Sequence, residues 1–217
     1  KKQVFHLAPY QYKMLRSATF YEKYFPQPTD KKPLQILRAQ VSKIKSEKGG
    51  CEVHTDKGTY AASIVFSSLF DPKVLLSQSK YPVLKQHFIG WFVKAPKGSF
   101  DPDQILFMDF NIPQHEQTRF LYLLPQDDQH ALVEYTLFSK ELLEKKEYEE
   151  GIKNYLDRIG ITNYIIQEKE QGNIPMSCFP FNQSNTSSLL HIGTAGGWTK
   201  ASTGFTFMNT SRQIERL

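Results

Sequence analysis

The chain has 217 residues, 40% hydrophobic and 23% charged, with 27 Lys plus Arg against 22 Asp plus Glu and a formal net charge of +5 at pH 7. That is enough for one large domain, or one domain with part of a second, and it excludes collagen-like, low-complexity and wholly disordered chains. The basic excess is spread along the sequence and forms no stripe, so nucleic acid is not an implied partner.

Cys51 and Cys178 stand far apart with no CxxC and no Cys/His cluster, which indicates neither a zinc site nor a disulfide framework and fits a reducing compartment. No apolar run reaches the ~18 to 20 residues that span a bilayer, and Lys1-Lys2-Gln3-Val4-Phe5 lacks the apolar stretch of a signal peptide. The sequence opens without Met directly into an apolar stretch, as expected of an N-terminal truncation. Aromatic residues are abundant, at 13% of the chain. They line either a large apolar pocket or an aromatic-rich core.

In chain order, Met14, Ala18, Tyr21 and Phe25 recur on one helical face, predicting a helix over 9–25 that Pro26 and Pro28 end. Residues 36–41, 51–55 and 59–66 read as three short strands of a meander, turned at Gly49-Gly50 and at Asp56-Lys57-Gly58. Strands follow at 87–94, 104–112, 118–124 and 131–138, with turns at 96–98, 113–117 and 125–129, so neighbours should pair antiparallel. After Ser139 as N-cap comes a helix with the stripe Tyr148, Ile152, Tyr155, Leu156, Ile159, which Gly160 closes. The charges over 140–150, Glu147 among them, read as its solvated face. A strand at 164–170 and a short buried strand at 189–192 precede the glycine run Gly193-Thr194-Ala195-Gly196-Gly197, and 204–217 reads as a helix whose N-terminus faces that run.

Two features bear on chemistry. A strand, a glycine-rich loop and a helix let backbone N–H groups approach an electron-rich ligand, and 193–204 has that order, although neither GxGxxG nor a P-loop is present. The second is Glu134. Alternation places it with Leu132, Thr136 and Phe138 on one face of a strand apolar on both faces, opposite Ala131, Val133, Tyr135 and Leu137. Burial there would lift its carboxyl above the ordinary carboxylate range and make it a general acid, unless it faces an edge or a salt bridge. Asp109 shows the same anomaly beside Ile105, Phe107 and Asn111, either as a second carboxylate in that cavity or as a hydrogen-bonded structural Asp. The six histidines show no metal-like pair, and no GxSxG elbow or Cys/His nucleophile occurs, so no metal site is expected.

Taken in order, Pro9-Tyr10-Gln11-Tyr12-Lys13-Met14, Gln86-His87-Phe88-Ile89-Gly90-Trp91, Phe107-Met108-Asp109-Phe110, Leu121-Tyr122-Leu123-Leu124-Pro125, Leu132-Val133-Glu134-Tyr135-Thr136, Gly172-Asn173-Ile174-Pro175-Met176 and Ile192-Gly193-Thr194-Ala195-Gly196-Gly197 with Ser202-Thr203-Gly204 resemble lycopene cyclases of the flavoprotein type. The resemblance covers nearly the whole chain, and the tract around Glu134 is its most specific part. It implies an α+β / α/β fold similar to that of the p-hydroxybenzoate hydroxylase-like flavoproteins: an antiparallel substrate-domain sheet with helices, plus part of a Rossmann-type FAD domain made of the β-meander and the C-terminal loop and helix. By it, 1–33 is a helical segment of the substrate domain, 34–75 the FAD-domain meander, 76–188 the substrate domain and 189–217 the FAD-contacting strand, loop and helix. The dinucleotide fingerprint is absent and would lie before Lys1. Thr194 stands where the wider superfamily usually carries an acidic residue, which leaves a ribose contact there in doubt.

The function so implied is cyclisation of the linear ψ-ends of lycopene to β-rings, by proton-initiated carbocation chemistry with reduced FAD, NAD(P)H as electron donor and no net redox change. Glu134 with Asp109 would carry the proton chemistry. Gly193, Thr194, Ala195, Gly196, Gly197, Thr203 and Gly204 would contact FAD, and Trp91, Phe92, Phe107 and Tyr135 would line the carotenoid pocket, where rings steady a cation. A lipid-soluble substrate implies a cytoplasmic protein in peripheral contact with the inner face of the membrane. The rivals are an FAD-dependent monooxygenase or dehydrogenase of another hydrophobic substrate, and a non-catalytic carrier of apolar ligands. Oligomeric state is not implied.

Overall fold

The computed structural model describes residues 5–25 and 35–217. It comprises two compact units, one holding the described residues up to 44 together with 53–60, the other 45–52 and 61–217.

In the first unit the helix predicted over 9–25 shortens to α1 (Ser17–Tyr24), which buries none of its residues and has no side-chain cap. With its apolar face unburied, propensity alone sustains only a short helix, and Arg16 is already extended (φ −71°, ψ 130°). The stop assigned to Pro26 and Pro28 lies outside the described residues. The meander, each of whose strands has residues assigned to both units, forms as β1 (Val41–Glu47), β2 (Gly50–Thr55) and β3 (Gly58–Ala62), in sheet order β1-β2-β3. Its first strand therefore starts where the sequence reading ended it. Residues 36–40 stay outside the ladder, with Ile36 and Leu37 exposed. The turns at Gly49 and at Asp56-Lys57 fall as predicted.

In the second unit the strand expected over 59–66 breaks after Ala62, and a separate β4 (Val65–Ser67) pairs parallel with β10 (Leu189–His191). After a one-turn helix α2 (Lys73–Leu76) comes the main sheet of β5 (Leu84–Lys94), β6 (Leu106–Asp109), β7 (Thr118–Pro125), β8 (His130–Ser139) and β9 (Ile165–Met176), antiparallel in the order β6-β7-β8-β5-β9. Strand β9 runs straight through Gly172, because Phe88 on β5 lies over that position: a Cβ there would meet Phe88 Cζ at 2.3 Å.

Helix α3 (Lys145–Arg158) covers one face of this sheet, burying Tyr148, Ile152, Tyr155 and Leu156 against Ile89, Trp91, Val93, Leu121, Val133, Tyr135 and Leu137. It ends as predicted at Gly160 (φ 83°), where Ile161 N–H reaches Leu156 O and Gly160 N–H reaches Asp157 O in a Schellman motif. Its N-cap is Glu144, not Ser139. Ser139 is instead the buried last residue of β8, with its Oγ donating to Glu141 O and accepting from His87 Nε2 at 2.8 Å. The charges before and along α3 are not all solvated either: Glu147 pairs at 2.7 Å with the buried Arg119. The C-terminal helix α4 (Phe207–Ile214) begins later than expected, since Gly204 sits at φ 72°, outside helical space.

Candidate active site

Register decides which side chains share a face. Glu134 on β8 is paired with Tyr122 on β7 and with Gly90 on β5, and Gly90 is paired in turn with Glu170 on β9. Residues in one cross-strand row project to the same side. Glu134, Tyr122 and Glu170 therefore stand together on the face away from α3. Thr136 Oγ1 donates to Glu134 Oε1 at 2.6 Å. Burial pushes the Glu134 carboxyl up to about 7; Thr136 opposes this, while the like charge of Glu170 and a hydrogen bond with it push further up. A hydrogen bond between two carboxyl groups needs a proton on one of them, since two carboxylates cannot share one.

The rows flanking the pair are aromatic. Phe88 lies in the row of Thr136 and Gly172, and Phe92 in the row of Leu132 and Glu168. Beside them Tyr122 packs edge-on against Phe120 and against Phe107, both with ring centroids 5.3 Å away, and Phe120 stacks on Phe138 at 5.6 Å.

Of the four aromatics proposed for the pocket, Phe92 and Phe107 are on the face of Glu134. Trp91 and Tyr135 are not: by alternation they point the other way, into the core under α3. Asp109 is also separated from Glu134. Leu106 pairs with Leu123 and Asp109 with Leu121, so β6 carries one extra residue at a bulge, with Met108 at φ 56°. Such a bulge flips the alternation. Phe107 turns to Tyr122, while Asp109 turns to the helix face, accepting from Tyr155 OH at 3.1 Å and from Asn111 N–H at 2.9 Å and lying 3.5 Å from Arg158. It is a structural Asp. Its charge and, more strongly, burial raise the Tyr155 phenol, which stays a donor.

Glu170, Phe88, Gly90 and Tyr122 complete the face and were not singled out from the sequence. Period-2 alternation in 118–124 carries a signal for Tyr122. Glu170 has none until the β5–β9 register is known.

The glycine run folds as a 3₁₀ turn, Gly193–Gly196, directly after β10, with Gly193 at φ 59° and Gly197 at φ 73°. Open space surrounds the position of a Cβ at Gly193, whereas one at Gly196 would meet His191 O at 2.3 Å. Thr194, Thr199 and Thr206 link hydroxyl to hydroxyl at 3.2 and 3.0 Å, and Asn209 Nδ2 donates to Trp198 O at 2.9 Å, so the start of α4 is tied to the turn. Gly204 lies on the face of Glu134: a Cβ there would be 1.9 Å from Gln86 Oε1, and this buried oxygen finds no donor within the described residues. Gln86 is four residues from Gly90 on β5, roughly 13 Å at 3.3 Å per residue. A separate apolar cavity of about 370 Å³ opens among Phe66, Ile192, Gly193, Trp198, Thr210 and Ile214. Among the described residues no group of three or more His, Cys, Asp or Glu is placed to hold a metal ion, and no helix is long and apolar enough to cross a membrane.

Among solved structures, the chain is similar to a geranylgeranyl bacteriochlorophyll reductase-like protein from Thermoplasma acidophilum (13% identity, TM-score 0.55, covering 82% of this chain and 49% of that one). It is similar also to a CLA-producing fatty acid isomerase from P. acnes (12%, 0.54, covering 82% and 47%) and to the halogenase PltM (15%, 0.52, covering 82% and 40%). At such identities the likeness is one of fold, a mixed α/β architecture with antiparallel sheets. The chain spans about half the length of these structures or less. No curated protein matches it. A scan against protein families matches residues 2–217 to the family described as Lycopene cyclase protein. By that match over almost its whole length, the chain belongs to the lycopene cyclase protein family.

Proposed function

We propose that this chain carries the proton-handling site of an FAD-dependent carotenoid cyclase that closes the ψ-ends of lycopene into β-rings without net redox change. The observation that carries the reading is Glu134: a buried carboxyl, pushed up to about 7, on a sheet face lined by Phe88, Phe92, Phe107 and Tyr122. Ring closure asks for this combination. The O–H bond of the acid breaks as a C–H bond forms at the terminal alkene, the neighbouring double bond attacks the resulting cation, and loss of a ring proton sets the new alkene. The aromatic faces stabilise the cation and exclude water that would trap it. The proton lost at the end balances the proton given at the start, so the acid is regenerated.

FAD fits the residues present. Gly204 approaches the sheet as only glycine does, Gly193 presents open backbone, and the orphaned acceptor Gln86 Oε1 lies beside Gly204. Gly193, Thr194, Ala195, Gly196, Gly197, Thr203 and Gly204 would hold the cofactor, with the parallel pair β4 and β10 as part of its domain. When bound and kept reduced by NAD(P)H, FAD would supply electrostatic stabilisation of the cation. Asp109, Trp91 and Tyr135 drop out of the proposed site, since they serve the opposite face. A carotenoid substrate dissolves in lipid, so peripheral membrane contact belongs to the same proposal.

The test is Glu134→Gln in the flavin-loaded enzyme, with lycopene supplied in vesicles. The variant is expected to keep its flavin and lose cyclised product, which has the mass of lycopene. Wild-type turnover by the variant overturns the reading, as does a product heavier by one oxygen from the wild type.

A further inference from the structure

Glu170 is absent from the sequence motifs, yet the sheet brings it to Glu134. The two carboxyl-bearing residues sit on β9 and β8 with β5 between them. Adjacent strands are about 4.8 Å apart, so two positions separated by a third strand are nearly 10 Å apart at the backbone, and an ordinary side chain between them would keep their heads apart. The residue between them is Gly90. A Cβ there would lie 2.9 Å from Glu170 Cγ, 3.0 Å from Glu170 Oε1 and 2.9 Å from Leu132 Cδ1. The side chain of Glu170 thus lies across the gap that glycine leaves, towards the carboxyl of Glu134.

We propose that Glu170 is the second member of a carboxyl pair with Glu134, a positioning residue that holds the cyclisation proton on Glu134 and takes part in its recapture. This rests on the reading of Glu134 given above. With one proton between them, Glu170 is the carboxylate that accepts from the Glu134 hydroxyl. When the Glu134 O–H bond breaks and the proton goes to the terminal alkene, two carboxylates are left side by side. Their repulsion favours return of a proton to the pair once the ring C–H bond breaks and its electrons form the ring double bond. The same two charges face the cation while it exists. Other charged or titratable groups on this face are Tyr122 in the same row, Glu168 in the next, and Lys94 and His130 at the end of β5 and β8, roughly 13 Å away. Glu170 is thus the nearest carboxylate to Glu134 along these rows. The burial that also favours the protonated form stays in place when Glu170 is changed.

The pH profile of kcat/KM for lycopene in the flavin-loaded enzyme tests this. In Glu170→Gln the alkaline limb, where Glu134 loses its proton, should move to lower pH by about one unit or more, a loss of about tenfold on the alkaline side that acidification rescues. A structural role would lower the rate evenly at every pH. Gly90→Ala, which keeps both carboxyls but wedges them apart, should shift the limb in the same direction. A limb that stays in place in Glu170→Gln, or in Gly90→Ala where Glu170→Gln does not fold, overturns the pair. The infrared band of a protonated carboxyl gives a readout without turnover: it should be present in wild type at pH 7, absent in Glu134→Gln and weakened in Glu170→Gln. An undiminished band in Glu170→Gln also overturns the pair. If Glu134→Gln is inactive while the Glu170→Gln profile is unmoved, the pair fails and the cyclase reading stands; if Glu134→Gln turns over normally, that reading itself fails.

Discussion

The ring of Tyr135 occupies the space that a side chain at Gly151 would need: a Cβ on this glycine would lie 2.5 Å from Tyr135 Cε2 and 2.7 Å from Cδ2. A glycine inside a helix ordinarily costs about 1 kcal/mol against alanine. Here it lets α3 settle onto the sheet, with the Tyr135 hydroxyl within 3.2 Å of Arg119 Nη1. Gly151→Ala is therefore expected to destabilise. Overpacking of a buried ring costs about 1 to 3 kcal/mol, which outweighs the propensity gain. Urea unfolding decides it, since a raised midpoint would mean that the ring is not held there.

The same interface contains a buried cation. Arg119 has 4% of its side chain exposed and meets Glu147 at 2.7 Å, with Gln117 Oε1 also at 2.7 Å. Removing one partner of a fully buried pair costs about 3 to 5 kcal/mol; because Glu147 is 46% exposed, water takes over part of its role, and Glu147→Ala should cost about 1 to 2 kcal/mol. Adding Arg119→Met to that variant should recover much of the loss, because no unpaired charge then remains buried. A double-mutant cycle in denaturant reads the coupling.

Gly204 combines two constraints, a φ of 72° and contact with Gln86. Gly204→Ala should cost about 1 kcal/mol from the left-handed backbone and more from displacing the buried amide. It should also weaken flavin retention, if the loop holds the cofactor. In the double variant with Gln86→Ala the steric part should vanish and the backbone part remain. Equal thermal shifts in the single and double variants would show that the Gln86 contact is not felt.

Much of this was legible in the sequence. The strands around Trp91, Tyr122 and Glu134 lie within a few residues of their expected limits, because alternation on a two-sided apolar strand is a strong local signal. The Tyr148, Ile152, Tyr155, Leu156 stripe and the stop at Gly160 are equally local. What was missed depends on pairing. The bulge at Met108 reverses the side of Asp109. Another irregularity between Phe92 and Val93 shifts the register of β9, so neither Asp109 nor Glu170 can be given a face by counting along the chain. The aromatic stripe on α1 has the spacing of a buried face and buries nothing. Periodicity describes which residues align, and packing decides whether the alignment is used.

The raised carboxyl of Glu134 also has a consequence for folding. Its ordinary value is 4.5, and in the fold it is pushed up to about 7. Between those values the folded chain holds a proton that the unfolded chain has released, so stability is highest below pH 4.5 as far as this group is concerned and falls as pH rises through 7. At 1.36 kcal/mol per pH unit the loss amounts to about 3 kcal/mol by pH 8. Glu134→Gln removes this titrating carboxyl and leaves Glu170 without a like charge beside it. Its unfolding free energy should therefore decline less between pH 5 and 8 than that of the wild type, and the difference between the two proteins should grow in favour of the variant as pH rises. Denaturant melts at several pH values check this directly. Parallel pH dependences would mean that the carboxyl titrates in the folded protein much as it does in the unfolded chain.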